Sequence, residues 1–208
     1  MGANDRREPP VTPGAVAQPE MAHLLAAFAS GDDRQVEAAA RLVAERGAPA
    51  LPAVVALLAA PDPEQRWWAV RILGEIGEPQ VGAHLTRALH DPERSVRHCA
   101  ALALRAQPWP PAIPDLLVLL GDEDRLLARL AGDALAAAGQ AGTPGLLAVL
   151  QDGRQPARLE AVRALALLGD TSAIPALFAA LDDESALIEY WANEGLERMG
   201  VGMAFFKP

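Results

Sequence analysis

The sequence predicts an all-α fold, an α-solenoid of about six helical hairpin repeats, and three observations carry that prediction. Asp32, Asp62, Asp91, Asp122, Asp152 and Asp182 recur at intervals of 30, 29, 31, 30 and 30 residues. A second column follows in step: Ala39, Ala69, Ala100, Ala131, Ala161 and Ala192. Glycines close the units at Gly47, Gly77, Gly139, Gly169 and Gly200. A fixed period of this length means one supersecondary unit copied and stacked. A single unit cannot bury its apolar face, so stability comes from neighbours.

The unit from Pro49 to Gly77 shows the grammar. Leu51, Val54, Val55, Leu57 and Leu58 recur at helical spacing and predict a first helix over about 50–59. Asp62 reads as an N-cap, with Pro63 at the first helical position and Glu64 favouring the positive end of the dipole. The second helix carries Ala69, Val70, Ile72, Leu73 and Ile76 inward and stops at Gly77. Asp91-Pro92-Glu93 repeats the cap. First helices share a phrase, in Ala50-Leu51-Pro52, Ala112-Ile113-Pro114 and Ala173-Ile174-Pro175. Units are expected at about 20–47, 49–77, 79–107, 111–139, 143–169 and 172–200.

Composition agrees with closely packed helices. Apolar residues make up 51% of the 208 positions and aromatics 4%, a mixture poor in what strands favour. Net charge is −9, which sets the chain against phosphate backbones and anionic lipid and argues against nucleic acid as a partner. Cys99 is the only cysteine, which excludes an intrachain disulfide and a four-cysteine zinc site. Residues 1–20 lack the apolar core of a signal peptide, and no uncharged stretch is long enough to span a bilayer. A cytoplasmic protein is expected. Arg outnumbers Lys 17 to 1, the bias of a GC-rich bacterial genome.

The phrase Val96-Arg97-His98-Cys99-Ala100-Ala101-Leu102-Ala103-Leu104 resembles the VRxxAxxAL signature of HEAT-like repeats of the phycobilisome-lyase type. Arg66, Arg97 and Arg158 match its arginine; Ala128 and Glu189 depart from it. The resemblance covers about residues 20–200. It implies a scaffold that binds other proteins or, alternatively, a chaperone-like subunit of a bilin lyase holding a tetrapyrrole and its acceptor protein.

Two regions break the repeat. Ala106-Gln107-Pro108-Trp109-Pro110-Pro111 replaces the glycine stop with a stiff, extended segment. Trp109 there either plugs a gap in the core or is offered to a partner. Residues 1–19, rich in Pro, Gly and charge, read as a disordered arm. The apolar tail 201–208 is expected to fold back as a cap on the last unit.

No constellation points to catalysis. His23, His84, His90 and His98 are scattered, His84 and His90 point to different helix faces, and no metal site is expected. Cys99 has His98 beside it, but neighbours in a helix do not face each other, and the Ala-rich surroundings suggest an inert thiol. Nucleotide-binding and nucleophile-elbow fingerprints are absent from the sequence, and no cofactor is expected.

The second helices line the concave face in the family that the chain resembles. With Ala69, Ile72, Leu73 and Ile76 inward, helical geometry points positions 67, 71 and 74 outward. One column then reads Trp67, His98, Arg129, Leu159, Tyr190, and another Arg71, Leu102, Asp133, Arg163, Glu194. Aromatic, apolar and Arg side chains along a groove have the composition of a protein-binding hot spot. The expected contact residues are Trp67, Arg71, His98, Arg129, Arg163 and Tyr190. Trp68 and Trp191 are expected in the seams, and the alternating signs of Asp133, Arg163 and Glu194 suggest a ladder of surface ion pairs. HEAT-like DNA glycosylases combine an acid with Trp and Arg, but the net charge opposes that reading. Thirteen carboxylates at the helix–helix turns add an acidic rim that favours basic proteins. A protein partner is therefore expected, for a monomer or weak homodimer without membrane attachment.

Overall fold

The computed structural model describes residues 19–201, which form twelve α-helices and no strand. The first helices are α1 (Pro19–Ser30), α3 (Leu51–Leu57), α5 (Val81–Ala88), α7 (Ile113–Leu119), α9 (Thr143–Asp152) and α11 (Ile174–Ala180). The second helices are α2 (Asp33–Glu45), α4 (Pro63–Ile76), α6 (Arg94–Ala106), α8 (Arg125–Ala137), α10 (Gln155–Leu168) and α12 (Ala186–Arg198). Single 3₁₀ turns lead into α3, α7, α9 and α11. The six predicted hairpins are present. The expected arm over residues 1–19 and tail over 201–208 lie outside the described residues, apart from Pro19, which opens α1, and Val201, which packs against the core.

Each second helix packs on the next, from α2 through to α12, whereas among the first helices only α7 and α9 make more than marginal contact. A row of closely spaced helices beside a splayed row puts the second helices on the inner side of the curve. The Ala column explains the spacing. Ala39, Ala69, Ala100, Ala131, Ala161 and Ala192 are all fully buried, and side chains this small let the second helices approach closely. The core then runs unbroken along the array, from Leu24 to Leu196.

The glycine stops behave as predicted. Gly47, Gly77, Gly139, Gly169 and Gly200 have φ between 65° and 75°, a left-handed conformation that costs other residues about 1 kcal/mol or more. The acidic turns need a correction. Asp32 and Asp62 are N-caps, accepting from Arg34 N and Gln35 N, and from Glu64 N. The cap of α6, however, is Glu93, and that of α8 is Asp124. Asp91 and Asp122 stand two residues earlier and accept the backbone N–H of Glu93 and Asp124. The single Asp column thus mixes roles: Asp32 and Asp62 are N-caps, Asp91 and Asp122 close turns, and before α12 it is Asp183, outside the column, that accepts the Ser185 N–H. Asp152 ends α9, and α10 begins without a side-chain cap.

The signature arginines tie the turns together. Arg66 donates through Nη1 to the carbonyls of Ala60 and Pro61, and through Nε and Nη2 to Asp91 of the next unit at 2.9 and 3.0 Å. Arg97 repeats the carbonyl contacts at Asp91 and Pro92, both at 3.0 Å. Arg158 donates to the Leu150 carbonyl and pairs with Asp183. Arg66 and Arg97 thus satisfy carbonyls of the turn between the two helices of a unit, and Arg158 satisfies one in the last turn of α9, which has no intrahelical partner.

At the proline-rich break Trp109 is half-buried, and a Cβ built on Gly82 of α5 would lie 2.3 Å from its ring. The indole therefore packs directly on the α5 backbone, against the core. Gln107 donates its side-chain amide to the carbonyl of Gly74, so this turn is also fastened to α4.

Candidate partner-binding face

The inner face is richest at α4. Trp67 and Trp68 meet edge to face, with centroids 5.0 Å apart and planes at 90°. The Arg71 guanidinium lies 5.7 Å from the first ring and 5.2 Å from the second. Glu37 of α2 accepts from Arg71 at 2.6 Å, and Glu75 lies 3.5 Å from it. Trp68 is buried, as expected of a seam residue, while Trp67 is half-buried because α6 packs beside it. The expected outward Gly74 instead faces α6: a Cβ there would come within 2.9 Å of Ala103 Cβ.

Farther along, Leu102 and Arg129 are exposed. No ion pair engages the Arg129 guanidinium among the described residues. His98 is mostly covered and shares a hydrogen bond of 2.6 Å with Asp124, whose carboxylate also takes a two-pronged contact from Arg94 at 2.6 and 3.0 Å. Tyr190 is 57% exposed and packs edge to face on Trp191. Its exposure has a simple origin. Tyr190 is in register with Trp67, but no described helix follows α12 to cover it.

Arg163 departs from expectation. It is 3% exposed and does not project into the groove. Its guanidinium donates to Glu160 and Asp133, both at 2.7 Å, and to the Arg129 carbonyl at 2.8 Å. Gly132 makes this possible, since a Cβ on that residue would stand 3.0 Å from Nη2. The predicted ladder is therefore only partly formed: Asp133 and Arg163 pair across α8 and α10, whereas Glu194 turns to Arg198 on its own helix at 2.7 Å.

The HEAT-repeat family profile matches residues 21–105 and 143–202, more than half of the chain. The chain belongs to the HEAT-repeat family. No curated protein matches it. Among solved structures it is similar to YibA of E. coli, at 20% identity and a TM-score of 0.56, covering 88% of this chain and 71% of that one. It is also similar to the complex of CpcE and CpcF of phycocyanin lyase from Nostoc sp. PCC7120, at 22% identity and a TM-score of 0.53, covering 93% and 81%. A designed armadillo repeat protein in complex with the peptide (KR)4 aligns at 18% identity and a TM-score of 0.49, covering 87% and 98%. These likenesses concern the fold.

Among the described residues no group of three or more His, Cys, Asp or Glu side chains could hold a metal ion, and no helix is long and apolar enough to cross a membrane. Cys99 is buried, and its desolvation pushes the thiol up to about 12, so the reactive thiolate is scarce at neutral pH. Burial works against the charge on Asp124, but hydrogen bonds from Arg94, His98 and the Leu127 N–H outweigh it and hold its carboxyl well below the usual range. A depressed carboxyl contributes stability that is present above its unfolded value of about 4 and is lost as pH falls through its folded value. Asp124→Asn keeps a capping side chain but removes the charge. It is expected to lower stability at pH 7 and to flatten the loss between pH 4 and 2, read as the difference between wild-type and variant thermal melts across that range.

Proposed function

We propose that this HEAT-repeat protein is a non-catalytic scaffold that binds a partner protein along the inner face of its second helices. The observation that carries the reading is the corner formed by Trp67, Trp68 and Arg71. The half-buried Trp67, held edge to face by the buried Trp68 and with the Arg71 guanidinium beside its ring, makes a preorganised, amphipathic surface, and Trp and Arg are the residues that dominate binding hot spots. Arg71 and Trp67 are central, with His98, Leu102, Arg129 and Tyr190 extending the face. Arg163 acts by holding the floor under Arg129.

The test is affinity capture from native lysate, comparing wild type with Trp67→Ala and Trp67→Ala/Tyr190→Ala. A partner bound by wild type should lose about thirtyfold or more in affinity with the single variant, the roughly 2 kcal/mol of a hot-spot residue. Binding unchanged by both variants would remove this face from the account.

A second reading, as a bilin-lyase-like subunit, takes its support from the fold shared with the CpcE and CpcF complex and from the exposed Arg129, a ready partner for a propionate, whose guanidinium forms no ion pair among the described residues. Titrating the protein into a bilin solution tests it. A shifted visible band supports it, and an unchanged spectrum at high micromolar protein removes it.

A further inference from the structure

We infer that residues 202–207 dock as the opening turn of a seventh first helix, covering the apolar face that α11 leaves open at the C-terminal end of the array. The entry to a first helix is a recurrent turn. Ala50, Val81, Ala112, Gly142 and Ala173 each donate their N–H to the carbonyl three residues earlier, at 2.8–3.0 Å. All five are buried, and they follow one another at steps of 31, 31, 30 and 31 residues. A further step of 31 falls on Ala204. The chain is already aimed at that position. Gly200 has φ 75°, as Gly169 has 68° before Ala173. Val201 donates to the Leu196 carbonyl at 2.9 Å and packs against the core. It is in register with Trp109, which packs on Gly82, and with Asp170, which accepts from the Thr143 hydroxyl at 2.7 Å. Both of those contacts are made on the preceding first helix.

The face to be covered is defined by what its counterparts touch. Leu117 of α7 crowds Gly145 of α9, where a Cβ would stand 2.3 Å from a Leu117 methyl. One unit on, Leu147 and Leu150 border a groove of about 470 Å³, opposite Ser172, Pro175 and Ala176. Phe178 and Leu181 come next in these two columns. Phe178 is 42% exposed, whereas Leu117 and Leu147 are half-buried. Leu181 is half-buried, whereas Leu89, Leu120 and Leu150 are buried.

Register and composition together select the occupant. The same step that reaches Ala204 brings Met203, Phe206 and Lys207 to the places of Ser172, Pro175 and Ala176. Two of the three are large and apolar, so the segment gains burial where the inner units have little to bury. Lys207 is the one lysine of the chain. Docking lays its stem along Phe178 and brings its ammonium to Asp182, the counterpart of Gln151 in the groove before. A repeat array needs its last apolar face covered. Covering it on the α11 side leaves Tyr190 open to a partner on the inner face.

The test is disulfide trapping in the full chain, in a Cys99→Ala background. Phe178→Cys/Lys207→Cys puts thiols at the counterparts of Leu117 and Gly145, close enough for a bond. The comparison pair is Glu197→Cys/Lys207→Cys, whose first position is exposed on α12, four residues before Val201. Mild oxidation followed by peptide mass spectrometry gives the rate of each intrachain bond. The α11 pair should close at least roughly tenfold faster, since docking sets the effective concentration of the two thiols. Ala204→Glu, which puts a charge into the buried column, should remove that preference, whereas an intrinsic difference between the two sites would survive it. Unchanged circular dichroism would show that the variants are folded. Equal rates for the two pairs, a faster bond on α12, a bond formed between copies, or a preference that survives Ala204→Glu would each overturn the proposal.

Discussion

Arg163→Ala is expected to destabilise the protein by about 3–5 kcal/mol, the cost of removing one partner from a buried charge cluster. The guanidinium is 3% exposed and stands between Glu160 and Asp133, whose side chains are 14% and 21% exposed. Without it, two carboxylates share a dry junction and the Arg129 carbonyl loses a donor. The damage is local to the α8–α10 junction. In a linear array such a loss weakens one interface term and lets the two sides unfold separately. Denaturant unfolding followed by circular dichroism should therefore show a lower midpoint and a broadened or two-step transition. Replacing Arg163, Glu160 and Asp133 together by Met, Leu and Leu should recover much of the loss, because apolar residues of similar volume need no desolvated partner. A single Arg163→Ala variant as stable as wild type would mean that the cluster is hydrated.

The second large effect concerns Gly82 and Trp109. Gly82→Ala puts a Cβ 2.3 Å from the indole, an overlap that the half-buried ring relieves only by moving off α5. Overpacking of this kind costs about 1–3 kcal/mol. The cost should shrink in the Trp109→Ala background. With the ring gone, the remaining close approach is to the Cβ of residue 109 at 2.9 Å, offset in part by the gain of up to about 1 kcal/mol when Ala replaces Gly in a helix. Thermal melts of the two single variants and the double variant close the cycle. A Gly82→Ala cost undiminished without the indole would show that the ring is not what fills that space.

The architecture was legible in the sequence because it is written in local chemistry. The Ala column, the glycine stops and the Asp-Pro-Glu turns each act within one unit, and repetition makes weak signals strong. The N-caps were half legible. Asp62 to Asp91 is the one short interval, 29 residues, and it marks the switch from capping to turn-closing. The Ala column steps by 31 there, so the mismatch was visible in principle.

What depended on two units at once was not legible. A helical wheel points Arg163 into the groove, and nothing on α10 says otherwise. The notch that receives it is Gly132 on α8, and the acceptor is a backbone carbonyl of Arg129. Gly74 was misplaced for the same reason: its lack of a side chain serves the approach of Ala103, 29 residues later. Tyr190 was placed outward, but its exposure reflects the end of the array as much as the face. The corner of Trp67, Trp68 and Arg71 combines one helix with Glu37 from the unit before, so only its aromatic half was readable.

Hydrogen–deuterium exchange on the full chain, with and without a captured partner, tests the inner-face assignment most directly. The account predicts slowed exchange in α4, α6 and α8, with α3, α5 and α7 unchanged. Protection confined to the outer helices, or to the turns at the acidic edge, would contradict it.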